Sequence, residues 1–326
     1  IEEPEPVLPE IVEPAVIEIP AQPEIPNDPL AQIEKEASTA RVAKEYVKAI
    51  SHELDYLDRE PKSIDSRMRM NEDLRSLQKE PTLKLEADQV DIIRRSTAYN
   101  PKAYDVLVQH FRNSGNWNYE IATLVTQGRN SRPDKLREAG ERIFQYPGST
   151  ETDRKAAREY FIEAAQSGDA AAQFFAGECM ILGRGGSKNL PQGVYYLRKA
   201  IDQGDARAMD LLGVCYVRSW GVRRDDRRAV ELFQAAIDSG NVPAHYNLGA
   251  RYAQGQGVER DAEKAADLFT RGSESGHANC MLVLARCYEA GYGRDQDSDK
   301  ALHWFKKSAE KGNQEAIKWC TDNNVD

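Results

Sequence analysis

The stretch Leu212–Phe269, "LGVCYVRSWGVRRDDRRAVELFQAAIDSGNVPAHYNLGARYAQGQGVERDAEKAADLF", says the same thing twice. Leu-Gly-x-x-Tyr occurs at Leu212, Gly213 and Tyr216 and returns at Leu248, Gly249 and Tyr252, a step of 36 residues. Carried outward, that step organises the last half of the chain. Gly168, Gly204, Gly240, Gly276 and Gly312 form one column, and Gly177, Gly213 and Gly249 a second, with Ala285 in the fourth place. A third runs Gly185, Gly221, Gly257 and Gly293. Phe161, Leu197, Phe233, Phe269 and Phe305 keep the same step, as do Met180, Tyr216, Tyr252 and Tyr288. Such a period marks a stack of small units, none able to bury its apolar face alone.

Each column has a physical task. The Gly168 column follows an apolar helical run and suits a left-handed C-terminal cap. The Gly177 column lies inside the next helix, where glycine costs up to about 1 kcal/mol against alanine, so a neighbouring helix is expected close by. The Gly185 column makes the turn into the following helix. This settles "ILGRGGSKN" (Ile181–Asn189), which otherwise invites a phosphate-loop reading. A phosphate loop needs Gly-Lys-Ser/Thr between a strand and a helix, and neither element is present. The stretch reads as a joint.

Leu248, Gly249 and Tyr252, then Gly255 to Val258, Asp261, and Lys264-Ala265 opening a helix, resemble the Sel-1-like repeat family, relatives of the tetratricopeptide repeat. The resemblance covers about residues 154–320, and implies an all-α solenoid of about five 36-residue helical hairpins with a concave groove. It implies protein–protein work, since members serve as adaptors and assembly factors. By the family's arrangement the Leu-Gly helix lines the groove. That points Phe174, Asp210, Tyr246 and Leu282 inward, with Glu178, Val214, Ala250 and Arg286, and then Ile181, Val217, Ala253 and Glu289. This mixture suits a helix or extended segment of a protein partner.

The expected organisation is an arm (1–30), a helical region (31–150) and the repeat array (151–326). The arm holds eight of the fifteen prolines, eight acidic residues and no basic one, so most of the chain's net charge of −9 sits there. Proline at every third to sixth position forbids helix and favours an extended chain. Between the prolines lie Val7, Leu8, Ile11, Val12, Val16, Ile17, Ile19 and Ile25. Either this is a disordered acidic tail or it lies along a partner with those side chains docked. From Asp28-Pro29, a capping pair, Ile33, Ala37, Ala40, Ala43, Val47, Ile50, Leu54 and Leu57 recur at three- and four-residue steps. They predict one amphipathic helix ending near Pro61, either packing within the chain or coiling with another. A degenerate repeat around Phe111–Leu124 falls off the period.

Chemistry is sparse. The acidic balance argues against nucleic acid as the main ligand. No run of 18 apolar residues occurs to suggest a membrane span. The five cysteines (179, 215, 280, 287 and 320) read as free and packed; Cys280 and Cys287 would stand about 10 Å apart along a helix, beyond disulfide reach. His277, Cys280 and Cys287 are a conceivable metal set, but Cys287 shares a core column with Cys179 and Cys215. No nucleophile–base pair emerges, so no enzyme, cofactor or metal is expected. A hydrolytic site within 31–150 is the remaining enzymatic reading. The expected role is a scaffold subunit of a large mitochondrial assembly; Ile1 in place of Met fits a removed leader or a fragment. A bacterial envelope adaptor, its Pro/Glu arm crossing the periplasm, is the alternative.

Overall fold

A computed structural model describes residues 43–55, 57–58, 64–79, 83–130 and 132–325, which are helices and turns with no strand. They divide into two compact units, one ending at Asp169 and the other beginning at Ala170.

The first unit opens with α1 (43–55), followed by α2 (Ile64–Gln78), α3 (Ala87–Ser96) and α4 (Lys102–Asn113). The amphipathic seam packs within the chain. Ala43, Val47, Ile50, Leu54 and Leu57 are all buried against Met70, Leu74, Leu77, Leu83, Ile93 and Phe111. Ile33, Ala37 and Ala40 lie outside the described residues. Then come α5 (Trp117–Asn130), α6 (Pro133–Gln145) and α7 (Glu151–Gln166), each packed on the next.

The second unit is a solenoid of hairpins: α8 (Ala170–Leu182) with α9 (Leu190–Asp202), α10 (Ala206–Arg218) with α11 (Asp226–Asp238), α12 (Ala244–Gln254) with α13 (Ala262–Glu274), and α14 (Ala278–Ala290) with α15 (Ser298–Glu310). A last helix, α16 (Gln314–Asp322), closes it. The glycine columns explain the stacking. A Cβ on Gly213 would meet the Phe233 ring at 2.6 Å, and one on Gly249 would meet the Phe269 ring at 2.6 Å. The aromatic of each second helix therefore sits on the backbone of the first. The C-cap glycines are all left-handed, as at Gly240 (φ 86°). The third column does more than turn the chain. A Cβ on Gly257 would fall 2.2 Å from the Asp226 carbonyl, and one on Gly293 2.1 Å from that of Ala262. These two joints thus rest on the first residue of the preceding unit's second helix. "ILGRGGSKN" is the joint between α8 and α9, with Asn189 capping α9 through the Gln192 amide at 3.3 Å.

Caps repeat too. Asp225, Asp261 and Asp297 accept from the amides of Arg228, Lys264 and Lys300. In the first unit, Gly140 meets the Phe161 ring as the later glycines do, a Cβ there falling 2.6 Å from it. The α6–α7 pair is therefore a further hairpin of the same make. It is hidden from a 36-residue count because its glycine and aromatic are one residue further apart than Gly213 and Phe233. All five cysteines are free and buried.

Candidate protein-binding face

In the second unit, α8, α10, α12 and α14 each touch the next of their kind, whereas α9, α11, α13 and α15 do not approach one another as closely. The Leu-Gly helices therefore line the inside of the curve. The groove residues expected there divide by depth. Phe174, Val214 and Leu282 belong to the packed clusters of the solenoid and present almost no surface. Ile181, Ala250 and Ala253 are buried as well. Glu178, Asp210, Tyr246, Val217 and Arg286 are half-buried, and Glu289 is exposed. The shallow positions, Val217 and Tyr246 among them, are what a partner can reach. The arm residues Val7, Leu8, Ile11, Val12, Val16, Ile17, Ile19 and Ile25 lie outside the described residues.

What ties each inner helix to the next is a different contact every time. Arg207 of α10 lies over Phe174 of α8, its guanidinium carbon 4.4 Å from the ring centre. Asn247 of α12 donates to the Asp210 carboxylate of α10 at 2.7 Å. Tyr246 of α12 faces His277, the cap of α14, with ring centres 6.2 Å apart. Arg286 of α14 pairs with Glu315 of α16. These are a cation–π contact, a charge-assisted hydrogen bond, an aromatic pair and an ion pair, on a framework that otherwise repeats.

Burial sets the electrostatics of this face. It pushes the Asp210 carboxyl from 3.8 up to about 6, against the pull of the Asn247 amide. It also raises Glu178, against the opposing charges of Arg184, 3.1 Å away, and Arg207. Burial depresses the His277 imidazole to about 4 and raises the Cys287 thiol to about 12. His277 Nδ1 accepts from the Cys280 amide as a helix cap and lies 3.2 Å from Cys280 Sγ. Among the described residues no group of three histidine, cysteine or carboxylate side chains is placed to hold a metal.

Sequence reasoning missed Arg207, Asn247 and Glu315. Their signal lay in columns where chemistry changes from unit to unit: Arg207, Pro243, Asn279 and Glu315 share one, and Phe175, Leu211, Asn247 and Val283 another. Columns that hold the fold repeat. Columns that meet a partner need not.

Comparison with known proteins agrees with this architecture. The family model for the Sel1 repeat matches residues 139–169, 170–205, 206–241, 242–277 and 278–313, more than half of the chain. A Sel1 repeat protein from Oxalobacter formigenes is 29% identical, with a TM-score of 0.57, over 66% of this chain and 85% of that one. The fold is also similar to that of c5321, a protective antigen of uropathogenic Escherichia coli displaying an SLR fold. That match is 23% identical with a TM-score of 0.59, over 81% of this chain and 57% of the antigen. No curated protein matches the sequence. Repeats of this kind generally mediate protein–protein interactions.

Proposed function

The chain belongs to the Sel1 repeat family, and we propose that it is a non-enzymatic adaptor whose concave face in the 170–325 unit holds a segment of another protein. The observation that carries this reading is the contrast between a repeated frame and a non-repeated inner surface. Every inner helix is tied to the next by a contact of different chemistry. A frame alone needs no such variety; selection among partners does.

The partner segment that fits is amphipathic with a cationic group. Asp210 is an acidic acceptor in a desolvated position whose hydrogen bond comes from a neutral amide. A lysine or arginine brought against it would offset that desolvation cost. Photo-crosslinking residues placed at Arg207, Glu289 and, as an outer control, Arg198 on α9 test the reading in cells. The inner positions should yield one and the same crosslinked protein and Arg198 none. Equal crosslinking on both faces would refute it.

The setting we propose is a large mitochondrial multi-protein assembly. Its support is the five free thiols and an acidic, apolar-studded arm suited to lying along neighbours. The second reading, a bacterial envelope adaptor, is favoured by the bacterial source of the similar solved structures. Fractionation of the source cells with protease protection separates the two.

A further inference from the structure

The first unit carries a cleft that the adaptor reading does not use. It holds about 510 Å³ between α2, α4 and α6. That is the size of a small-molecule site, roughly 300–1,000 Å³, but such sites are mostly apolar. Val108 is the only apolar side chain among the described residues that line this one. What lines it is charge: two carboxylates, Asp105 and Glu138, and four cations, Arg75, Lys79, Arg112 and Lys135. The carboxylates are already committed. Asp105 meets Arg132 at 3.4 Å and Lys135 at 3.6 Å. Glu138 meets Arg112 and Lys135, each at 2.8 Å. Burial would raise the Glu138 carboxyl, yet those two partners hold it below its usual range, so it stays ionised. Arg112 also meets the buried Glu120 at 2.9 Å.

Arg75 and Lys79 are different. Both are exposed on the α2 wall of the cleft, and neither side chain has a partner among the described residues. Arg75 lies in the last turn of α2 and Lys79 just past its end. A helix end suits cations, but two like charges one turn apart repel each other. The committed ions across the cleft leave them no carboxylate to share. The surplus in the cleft is therefore positive, and it is spaced. Four residues of helix set the two cations on one side and about 6 Å apart along the axis. Alternate side chains of an extended peptide share a face and stand about 6.5 Å apart. Two acidic side chains separated by one residue match that spacing, and each would form a charge-assisted hydrogen bond.

We infer that the cleft between α2, α4 and α6 is a binding site for an acidic segment of a protein partner, received in extended form with alternate carboxylates on Arg75 and Lys79. The site belongs to the first unit and does not depend on the concave face of the 170–325 unit. The test uses the full chain and a fluorescein-labelled synthetic peptide of alternating glutamate and serine, read by fluorescence anisotropy. The parent protein should bind the peptide. Arg75→Gln combined with Lys79→Gln should bind it about tenfold more weakly, the loss expected of two exposed ion pairs. Both positions are exposed and glutamine matches their helix propensity, so this variant keeps its fold. Arg94→Gln combined with Arg95→Gln, on α3 outside the cleft, should bind as the parent does. No binding by the parent, or an affinity unchanged in the Arg75 and Lys79 variant, overturns the proposal. Equal weakening by both pairs of substitutions overturns it too, because net charge alone would then attract the peptide. Displacement of the peptide by an equal concentration of inorganic phosphate would mark a free-anion site instead. A peptide with its glutamates side by side that binds equally well would refute the extended register.

Discussion

Replacing Asp210 by asparagine should make the protein more stable, and far more so at neutral than at acid pH. Asp210 sits on the inner face of the solenoid, where burial lifts its carboxyl from 3.8 to about 6 with the Asn247 amide as its hydrogen-bond donor. A folded-state value above the unfolded one means that the folded protein holds the extra proton between those two pH values. Stability from this group is therefore highest below pH 4 and falls as pH rises through 6. Above that, the ionised carboxylate costs about 3 kcal/mol, the free-energy equivalent of the rise. Asp210→Asn keeps a side-chain carbonyl for Asn247 and removes the charge. The expected gain is about 2–3 kcal/mol at pH 7.5 and about 0.5 kcal/mol at pH 4. Helix propensity separates the two residues too little to matter. Urea unfolding of both proteins at the two pH values, followed by circular dichroism at 222 nm, reads the difference directly. In a thermal melt at neutral pH the gain corresponds to roughly 5–10 °C. A gain of the same size at both pH values would place its origin in packing, and no gain at pH 7.5 would mean that the carboxylate is not desolvated. Either result would refute the reasoning.

Three further substitutions have outcomes set by packing and by buried charge. Gly249→Ala improves helix propensity yet drives a methyl to 2.6 Å from the Phe269 ring, so it should cost about 1–3 kcal/mol in urea midpoints; Gly276→Ala, left-handed at φ 89° with nothing within 4 Å, should cost about 1–2 kcal/mol through the backbone alone. A Gly249→Ala protein as stable as the parent would show that the ring is free to move. In the first unit, Glu120→Gln leaves Arg112 and Arg142 without the carboxylate they share and should cost about 2 kcal/mol in thermal unfolding, the solvent-exposed guanidiniums limiting the loss. An unchanged melting temperature would show that the triad contributes nothing to folding.

Local chemistry that recurs is visible in a sequence because the same steric demand is met again and again. The cap at Gly240, the close approach at Gly249 and the carboxylate cap at Asp261 each answer a constraint set within a few residues or by the next helix. The 36-residue step therefore determined, before any coordinates, that the 151–326 region is a helical solenoid, that "ILGRGGSKN" is a joint, and that the cysteine column is interior. The seam from Ala43 to Leu57 determined a buried helix face but not what covers it. Only the tertiary structure decided that Met70, Leu74 and Leu77 of the same chain do so.

What a face presents to a partner was harder to read. Helical periodicity places a residue on a side of its helix, but depth is set by the neighbours stacked above and below. Phe174, Val214 and Leu282 share a side with Glu178, Asp210 and Arg286, yet the first three are enclosed by adjacent hairpins while the others reach the surface. Contacts such as Asn247 with Asp210 and Arg207 on Phe174 join residues more than 30 apart in the chain. They come from columns that do not repeat. A solenoid conserves the geometry that stacks one unit on the next and frees the remaining positions, so the period fixes the frame and the stacking alone decides which free positions meet.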